Sequence, residues 1–379
     1  MKNGLLKVVY TLVLLGAAFW WGLRFGALLA QVYVGPSWNN VWLETLFEST
    51  FLILLHLPLY LLVVLLHEFG HLLGGLWSGY HFVSFRVGNR VLVRWDEGLV
   101  WKRFSLMGTG GQCIMVPPVR SDDQFPFLRY HLGGPLMNLL LSLVFFLALE
   151  MQPSVWTLLL WSFGGLNLLS ALANGIPWKG KVVANDGWNA WNLSKNPAER
   201  EVFAKQMLIL EAMTRGQQLR ALPADWFRIE SESRSENSSA ASLAFTRAQY
   251  MIDKGEEQAG IDLLQSLLES KSSVPSFERT TMQLFKLYYD LLTEAGSVDL
   301  SVLDDKETQQ FLKGMKDYPF VLSLNYALAR LSKQDQVEAA RIRQRLDRVL
   351  ETYPTKAEID SVWEDLELID RIAAGQPLD

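Results

Sequence analysis

Cysteine and clustered positive charge are both scarce in this sequence. Cys113 is the only cysteine among 379 residues, so no disulfide can form within the chain, and a lone thiol is typical of a reducing compartment. The formal net charge is −5, and no stretch concentrates lysine and arginine as nucleic-acid-binding proteins do. The sequence therefore excludes a disulfide-stabilised secreted domain and argues against nucleic acid as a partner.

Long apolar runs are absent from the second half of the chain and abundant in the first. Hydrophobic residues make up 50% of the sequence, and their crowding toward the N-terminus predicts a membrane anchor followed by a soluble part. A helix rises about 1.5 Å per residue, so about 20 apolar residues cross a bilayer core of about 30 Å. Four spans are predicted, of which the third is short but extendable toward Phe125: 8–34, 46–77, 135–151 and 155–176.

The first apolar segment has two interpretations. Lys2 and Lys7 precede it, as basic residues precede the apolar core of a cleaved signal peptide. Its length, its interruption by Arg24 and the lack of a clear small-residue cleavage site favour a retained span.

Basic residues are missing from two of the predicted loops. Neither 35–45 nor the turn near Gln152 contains lysine or arginine, whereas 78–130 contains seven such residues. Lys179 and Lys181 follow the fourth segment. By the positive-inside rule, this distribution predicts that both termini and the soluble C-terminal part lie in the cytoplasm.

The second apolar segment carries the pentapeptide His-Glu-Phe-Gly-His. His67 and His71 are four residues apart, so on a helix they lie on one face and can offer two imidazole nitrogens to a tetrahedral Zn²⁺. Glu68 would then lie beside the open coordination position as general base. Ionisable groups inside a bilayer are costly and usually functional. The alternative interpretation is that this end of the helix lies at the membrane surface, where the histidines and the glutamate are simply in contact with water.

A catalytic zinc normally has a third protein ligand, and Asp186 is the best candidate. Asn174 and Pro177 break the helix after the fourth segment, and Asp186 with Gly187 is typical of a tight turn that can point a carboxylate inward. Irregular backbone is tolerated near a membrane where it lines a protein cavity. Taken alone, Asp-Gly after a helix is typical of an ordinary turn.

Three motifs follow one another along the chain: H-E-x-x-H at 67–71, G-P-x-x-N at 134–138, and N-x-x-P at 174–177 followed by Asp-Gly at 186–187. In this order they resemble the site-2 protease family of intramembrane zinc metalloproteases. The resemblance covers about residues 45–195. One departure is an insert of eight residues, 178–185, where the family commonly has a short spacing.

The resemblance implies an activity, a cofactor and roles for individual residues. His67, His71 and Asp186 would be the Zn²⁺ ligands, Glu68 the base, and Asn138 a polar group contacting the substrate backbone or the oxyanion. The protein would be a multipass protease of a bacterial cell membrane that acts on a membrane-spanning protein or peptide. Its substrate would be a membrane-anchored transcription regulator, an anti-sigma factor, or the membrane remnant of a signal or pheromone precursor.

Between the second and third segments the hydrophobic period changes from helical to two. Residues 83–87 and 91–95 alternate around the turn signal Gly88-Asn89, and further strands are predicted at 99–106 and 112–116. The pattern predicts a small β-meander over 81–116 at the cytoplasmic membrane surface. Two roles remain open for it: a lid or membrane-association patch, or an edge strand that captures an unwound substrate by β-augmentation.

Helical patterns continue through the soluble part. Residues 197–237 are predicted to be a connector that begins with an amphipathic helix, and 238–379 to be a cytosolic helical-repeat domain. The spacing of about 40 residues between helix pairs suggests a tetratricopeptide-like array that binds a cytosolic protein partner. A plain helical bundle that stabilises the protease is the alternative.

The sequence as a whole predicts a mainly α protein with two parts. Residues 1–196 form a multipass transmembrane helical core with a small membrane-surface β-meander, and a soluble α-helical repeat domain follows. The predicted function is zinc-dependent endoproteolysis within the lipid bilayer. Two alternatives come from other classes: a non-proteolytic membrane regulator or scaffold that binds a partner through its tail, and a metal or ion transporter.

Overall fold

The computed structural model describes residues 2–32, 41–105, 109–118, 125–144, 151–180, 184–228, 238–270, 274, 276–293 and 298–376. This part of the chain is mainly helical, with 13 α-helices and one small antiparallel sheet, and the prediction is confirmed at this level. The structure divides into two compact units, Met1–Gly88 with Gly110–Lys195, and Asn89–Thr109 with Asn196–Asp379.

Within the described residues, five helices belong to the first unit. Three of them contain stretches long and apolar enough to cross a membrane, Val8–Val32, Thr50–Trp77 and Val155–Gly175. They coincide with three of the predicted spans, and many of their large apolar side chains are exposed, as on helices that face lipid. The helices are α1 (Lys2–Val32), α2 (Val41–Trp77), α3 (Phe127–Ser142), α4 (Val155–Gly175) and α5 (Asp186–Lys195).

The predicted span at 135–151 coincides only in part with a described helix. Helix α3 begins at Phe127, so it includes the N-terminal extension expected from the sequence, and it ends at Ser142. Residues 145–150 lie outside the described residues. A membrane crossing by this third predicted span therefore stays a prediction.

Glycines let α2 and α3 approach each other at backbone distance. A β-carbon added at Gly70 would lie 2.4 Å from the carbonyl oxygen of Gly133, and one at Gly74 would lie 2.0 Å from that of Arg129. Small residues at such spacing are typical of helix contacts in membranes, where close packing drives association. This contact holds the His-Glu-Phe-Gly-His turn of α2 against α3.

The four strands form one sheet in the order β3-β2-β1-β4. The predicted meander is therefore wrong in its last step, because β4 pairs antiparallel with β1, from His81 opposite Val116 to Val87 opposite Gly111. Side chains of β4 pack on α2, since a β-carbon at Gly75 would lie 2.3 Å from Sδ of Met115. The strands are β1 (His81–Val87), β2 (Arg90–Trp95), β3 (Gly98–Arg103) and β4 (Gly111–Val116).

The second unit contains the hairpin of β2 and β3 together with the C-terminal helices. The indole N–H of Trp95 donates to the carbonyl of Pro354 (2.8 Å), and the main-chain N–H of Arg103 donates to that of Thr352 (2.9 Å). The helices are α6 (Pro197–Thr214), α7 (Ser238–Asp253), α8 (Glu257–Glu269), α9 (Ser276–Thr293), α10 (Lys306–Gly314), α11 (Pro319–Ala327), α12 (Gln336–Leu350) and α13 (Lys356–Ala373).

These C-terminal helices share a large apolar core. Leu284, Leu324, Leu346 and Leu366 have no exposed surface and belong to one cluster contributed by five helices, α9 to α13. Helix α6 begins the predicted connector, whose residues 229–237 lie outside the described residues. The helical nature of the tail is as predicted, whereas the tetratricopeptide-like repeat stays a prediction.

Candidate active site

The two histidines of α2 point their outer ring nitrogens at each other. Nε2 of His67 and Nε2 of His71 are 3.1 Å apart, as the spacing of one helical turn requires. Both side chains are buried, and so is Glu68 between them in sequence. The buried polar cluster that the sequence predicts on α2 is therefore present.

Asp186 reaches the same point from the start of α5. Its Oδ2 lies 3.1 Å from Nε2 of His67 and 3.4 Å from Nε2 of His71. The three donor atoms lie within 4.8 Å of one another and form a group that can hold a metal ion. Asp186 thus joins the histidines despite the long insert before it.

Asn185 holds the chain after the insert against the end of α4. Its side-chain amide donates to the carbonyls of Ala173 (2.7 Å) and Ile176 (2.6 Å) at the end of α4. Its Oδ1 accepts from the main-chain N–H of Trp178 (2.9 Å) and of Trp188 (2.9 Å). Asn185 therefore closes the insert and caps α5, which leaves Asp186 beside the end of α4 rather than at the end of a long free loop.

The predicted tight turn at Asp186 and Gly187 is wrong. Asp186 and Gly187 are the first two residues of α5. Gly187 does not have a positive φ, and a glycine is needed there because of close packing. A β-carbon there would lie 2.2 Å from the carbonyl oxygen of Gly175. The glycine lets the start of α5 lie directly on the end of α4, which sets the depth at which the carboxylate enters the site.

The geometry and chemistry of the three donor atoms fit a zinc ion. Tetrahedral Zn²⁺ with bonds of about 2.0 to 2.1 Å separates its ligand atoms by about 3.3 to 3.4 Å, close to the distances between these atoms. Nδ1 of His71 lies 2.8 Å from the carbonyl oxygen of Tyr130, which can only accept, so Nδ1 carries the proton. In the neutral ring Nε2 is then a lone pair facing a carboxylate, an arrangement that a cation stabilises.

Gly134 borders the same point on α3. A β-carbon at this residue would lie 2.5 Å from Nε2 of His71 and 2.7 Å from Nε2 of His67. Any side chain at this position would clash with the Nε2 atoms of the two histidines, which face the candidate metal position. The glycine of the G-P-x-x-N motif therefore lets α3 approach the histidines without blocking them.

Strand β4 begins against Glu68. A β-carbon at Gly111 would lie 2.6 Å from Oε1 of Glu68 and 2.8 Å from Cγ1 of Val64. The main chain of β4 therefore borders the side chain that would act as base. The sequence indicates a strand here but not this proximity.

Arg86 is a site residue that sequence reasoning missed. Arg86 alternates with apolar residues in β1, and only 1% of it is exposed. Its Nη1 donates to the carbonyl of Gly88 (2.8 Å) and its Nη2 to that of Gly111 (3.1 Å). Burial lowers the pKa of Arg86, and the nearby Glu68 carboxylate acts in the opposite direction. Arg86 thus fixes the start of β4 beside Glu68.

Asn138 is fully buried and faces His67. Its Oδ1 lies 2.5 Å from Nδ1 of His67, and its Nδ2 donates to Oδ1 of Asn167 (2.7 Å). The sequence-based prediction gave Asn138 a contact with the substrate or the oxyanion. In the structure its amide is engaged by protein groups, and Asn167 is a second polar residue that the sequence interpretation did not single out.

Two imidazoles and a buried glutamate on an apolar helix of membrane-spanning length, together with the carboxylate of Asp186 on the short helix α5, form a group that could hold a metal ion. A sequence model of the family described as Peptidase family M50 matches residues 55–346, and the chain therefore belongs to that family. Membership indicates a metalloprotease and, with the three apolar helices, a membrane protein. The predicted likeness to site-2 proteases is confirmed at family level. No curated protein and no solved structure matches the chain.

Proposed function

We propose that this protein is a zinc-dependent endopeptidase that cleaves membrane-spanning peptides within the bilayer. One observation carries the proposal: Nε2 of His67, Nε2 of His71 and Oδ2 of Asp186 converge next to Glu68, on and beside a helix long enough to cross a membrane. Family membership supports the reaction class. The metal-ligand geometry supports zinc as the cofactor.

The mechanism assigns one task to each group. His67, His71 and Asp186 would hold the zinc and leave a position for water, as in other catalytic sites with three protein ligands. When bound, zinc supplies a Lewis acid that polarises the scissile carbonyl and lowers the pKa of water to about 7. Glu68 takes a proton from water as the water oxygen bonds to the carbonyl carbon. It returns that proton to the amine nitrogen as the C–N bond breaks.

The peptide must be extended at the zinc, whereas a membrane-spanning substrate arrives as a helix. Strand β4 lies at one edge of the sheet in the strand order, and its first residue borders Glu68. These two facts support an unwound substrate segment pairing along β4 by β-augmentation. A lid or membrane-association role for the sheet is the alternative.

The proposal includes an orientation and two kinds of partner. Both termini and the C-terminal helices would lie in the cytoplasm, as the distribution of lysine and arginine predicts. The family resemblance implies a bacterial cell membrane. The substrate would be a membrane-anchored transcription regulator, an anti-sigma factor, or the remnant of a signal or pheromone precursor. The C-terminal helices would bind a cytosolic protein partner.

The direct test is cleavage of tagged single-span substrates co-expressed with the wild type or with Glu68→Gln. A shorter product from the wild type alone, with zinc retained in the variant, is the expected result. Equal product from both proteins would remove Glu68 from the mechanism. Absence of product across a panel of unrelated spans would favour the non-proteolytic regulator.

A further inference from the structure

Two buried asparagines connect His67 to the backbone of α4. Oδ1 of Asn138 lies 2.5 Å from Nδ1 of His67, and Nδ2 of Asn138 donates to Oδ1 of Asn167 (2.7 Å). Nδ2 of Asn167 donates in turn to the carbonyl of Phe163 (2.8 Å). Both asparagines have no exposed surface. The chain of hydrogen bonds therefore runs through three helices, α2, α3 and α4, without reaching solvent.

The donor and acceptor in each hydrogen bond of this network follow from the last bond, which Asn167 makes to the carbonyl of Phe163. A backbone carbonyl can only accept a hydrogen bond, so the atom of Asn167 facing Phe163 must be its NH₂ group. Its oxygen then faces Asn138, which must present its own NH₂ group there. The oxygen of Asn138 is left facing His67, and Nδ1 of His67 must carry the proton.

Two further contacts on Asn138 agree with that orientation. Its NH₂ group also lies 3.4 Å from the carbonyl of Val63, a second pure acceptor, and the hydroxyl of Ser170 donates to its Oδ1 (3.0 Å). A flipped amide would set its oxygen against two acceptors, the carbonyl of Val63 and Oδ1 of Asn167, whereas the Ser170 hydroxyl can donate or accept and fits either orientation. Buried amides with mismatched partners are costly, so the network holds one orientation.

We propose that Asn138 and Asn167 are positioning residues that, through the carbonyl of Phe163, hold His67 in the tautomer whose Nε2 lone pair can bind the metal. This inference rests on the proposed role of His67 as a zinc ligand. Histidine ligands usually donate their second ring N–H to such a partner, and loss of the partner typically weakens metal binding 10- to 100-fold. Asn138 therefore acts through His67 and does not bind substrate.

The test measures zinc affinity by chelator competition on the full chain purified in detergent, at one fixed pH. Asn138→Leu removes the acceptor and should weaken zinc binding about 10- to 100-fold. Asn138→Asp keeps an oxygen toward His67 but sets its second oxygen against Oδ1 of Asn167 and the carbonyl of Val63, so its zinc affinity should lie between those of Asn138→Leu and the wild type. Asn167→Leu removes the group that orients Asn138, and its zinc affinity should also lie between those of Asn138→Leu and the wild type.

Ser162→Ala is the matched control. Ser162 is fully buried on the same helix as Asn167, and its hydroxyl has no hydrogen-bond partner among the described residues. If loss of any buried polar group in α4 weakens zinc binding, this variant should also bind zinc more weakly. If only the asparagine network matters, its zinc affinity should equal that of the wild type. The absorption bands of bound Co²⁺ give a second readout, because they report the ligand geometry independently of peptide cleavage.

The outcomes separate this inference from the proposed function. A wild-type chain that binds no zinc would overturn the function itself. A wild type that binds zinc, together with Asn138→Leu or Asn167→Leu of unchanged affinity and unchanged Co²⁺ bands, would overturn only the network. If Asn138→Leu does not fold, the zinc affinities of Asn167→Leu and Ser162→Ala are compared instead. Equal zinc affinity of these two variants contradicts the proposal.

Discussion

Gly111 and Glu68 touch in a way that leaves no room for a side chain: a β-carbon on Gly111 would lie 2.6 Å from Oε1 of Glu68. The contact joins the first residue of β4 to the second residue of the His-Glu-Phe-Gly-His turn. It brings the edge strand and the proposed base together in one unit of the structure.

Gly111→Val should therefore impair cleavage without removing the metal ligands. The added atoms would displace either β4 or the Glu68 carboxylate, and a misplaced base costs about 10²-fold or more. Cleavage of a tagged single-span substrate, with zinc content measured in parallel, checks this. Gly22→Ala is the control, because a β-carbon at Gly22 meets nothing within 4 Å. Wild-type activity in Gly111→Val would contradict the proximity argument.

Asp186→Ala should weaken zinc binding more than any change in the insert that precedes it. Removing the carboxylate leaves two protein ligands where a catalytic zinc site normally has three. Zinc content of the purified protein, determined by elemental analysis after dialysis, is the measurement. An unchanged stoichiometry of one zinc per chain would mean that the third ligand is a different residue.

Asn185→Ala should weaken zinc binding even though Asn185 contributes no ligand. The change removes two hydrogen bonds to the end of α4 and the cap of α5, so Asp186 loses its fixed position. Loss of such supporting contacts typically reduces metal affinity about 10-fold or more. Asn189→Ala, on the same helix, is the control. Equal zinc affinity in the two variants would show that the cap does not position Asp186.

Arg86→Gln should loosen the start of β4. The substitution shortens the side chain and removes hydrogen bonds to the part-buried carbonyls of Gly88 and Gly111, and an intramolecular hydrogen bond typically contributes about 0.5 to 1.5 kcal/mol to stability. Hydrogen exchange of the β4 amides should accelerate, and cleavage should fall. Arg90→Gln, at an exposed residue, should change neither property. Slow exchange in β4 of Arg86→Gln would contradict this role.

Asp365 gives the C-terminal unit a pH dependence. Burial raises the pKa of its carboxyl from the ordinary value to about 7. Between about pH 4 and 7 the folded state therefore binds more protons than the unfolded state, so the free energy of unfolding decreases as pH rises through this window. Asp365→Asn should flatten that decrease, read from thermal unfolding of the full chain at pH 5 and pH 8. Asp360→Asn, at an exposed residue, should leave the decrease unchanged.

The sequence predicts the part of the site that depends on local spacing. His67, Glu68 and His71 lie on one helical turn, so their proximity follows from helix geometry alone. Asp186 is predicted as the acidic residue that follows the last span, and the structure brings it to the two histidines. Its supporting residue Asn185 was not predicted, because its contacts bridge the insert and depend on how the chain folds back.

Longer-range features are harder to predict for the same reason. Alternation identifies β1 and β4 as strands, but it does not say which strands pair, and the pairing buries Arg86 instead of exposing it. Asn167 lay within an apolar segment, where a polar residue is costly. The presence of a polar residue in an apolar segment is the one feature of the sequence that points to Asn167. Only the structure identifies Asn138 as its partner.

The contacts of Trp95 and Arg103 with the segment 352–354 change what counts as a removable part of this protein. A chain cut after Lys195 would keep the β2–β3 hairpin and lose the carbonyls of Pro354 and Thr352, to which Trp95 and Arg103 donate. Phe104 would also lose its ring contact with Tyr353. The C-terminal unit therefore consists of two pieces, Asn89–Thr109 and Asn196–Asp379, and a chimera that exchanges only the second piece should lose the hydrogen bonds that Trp95 and Arg103 donate to it.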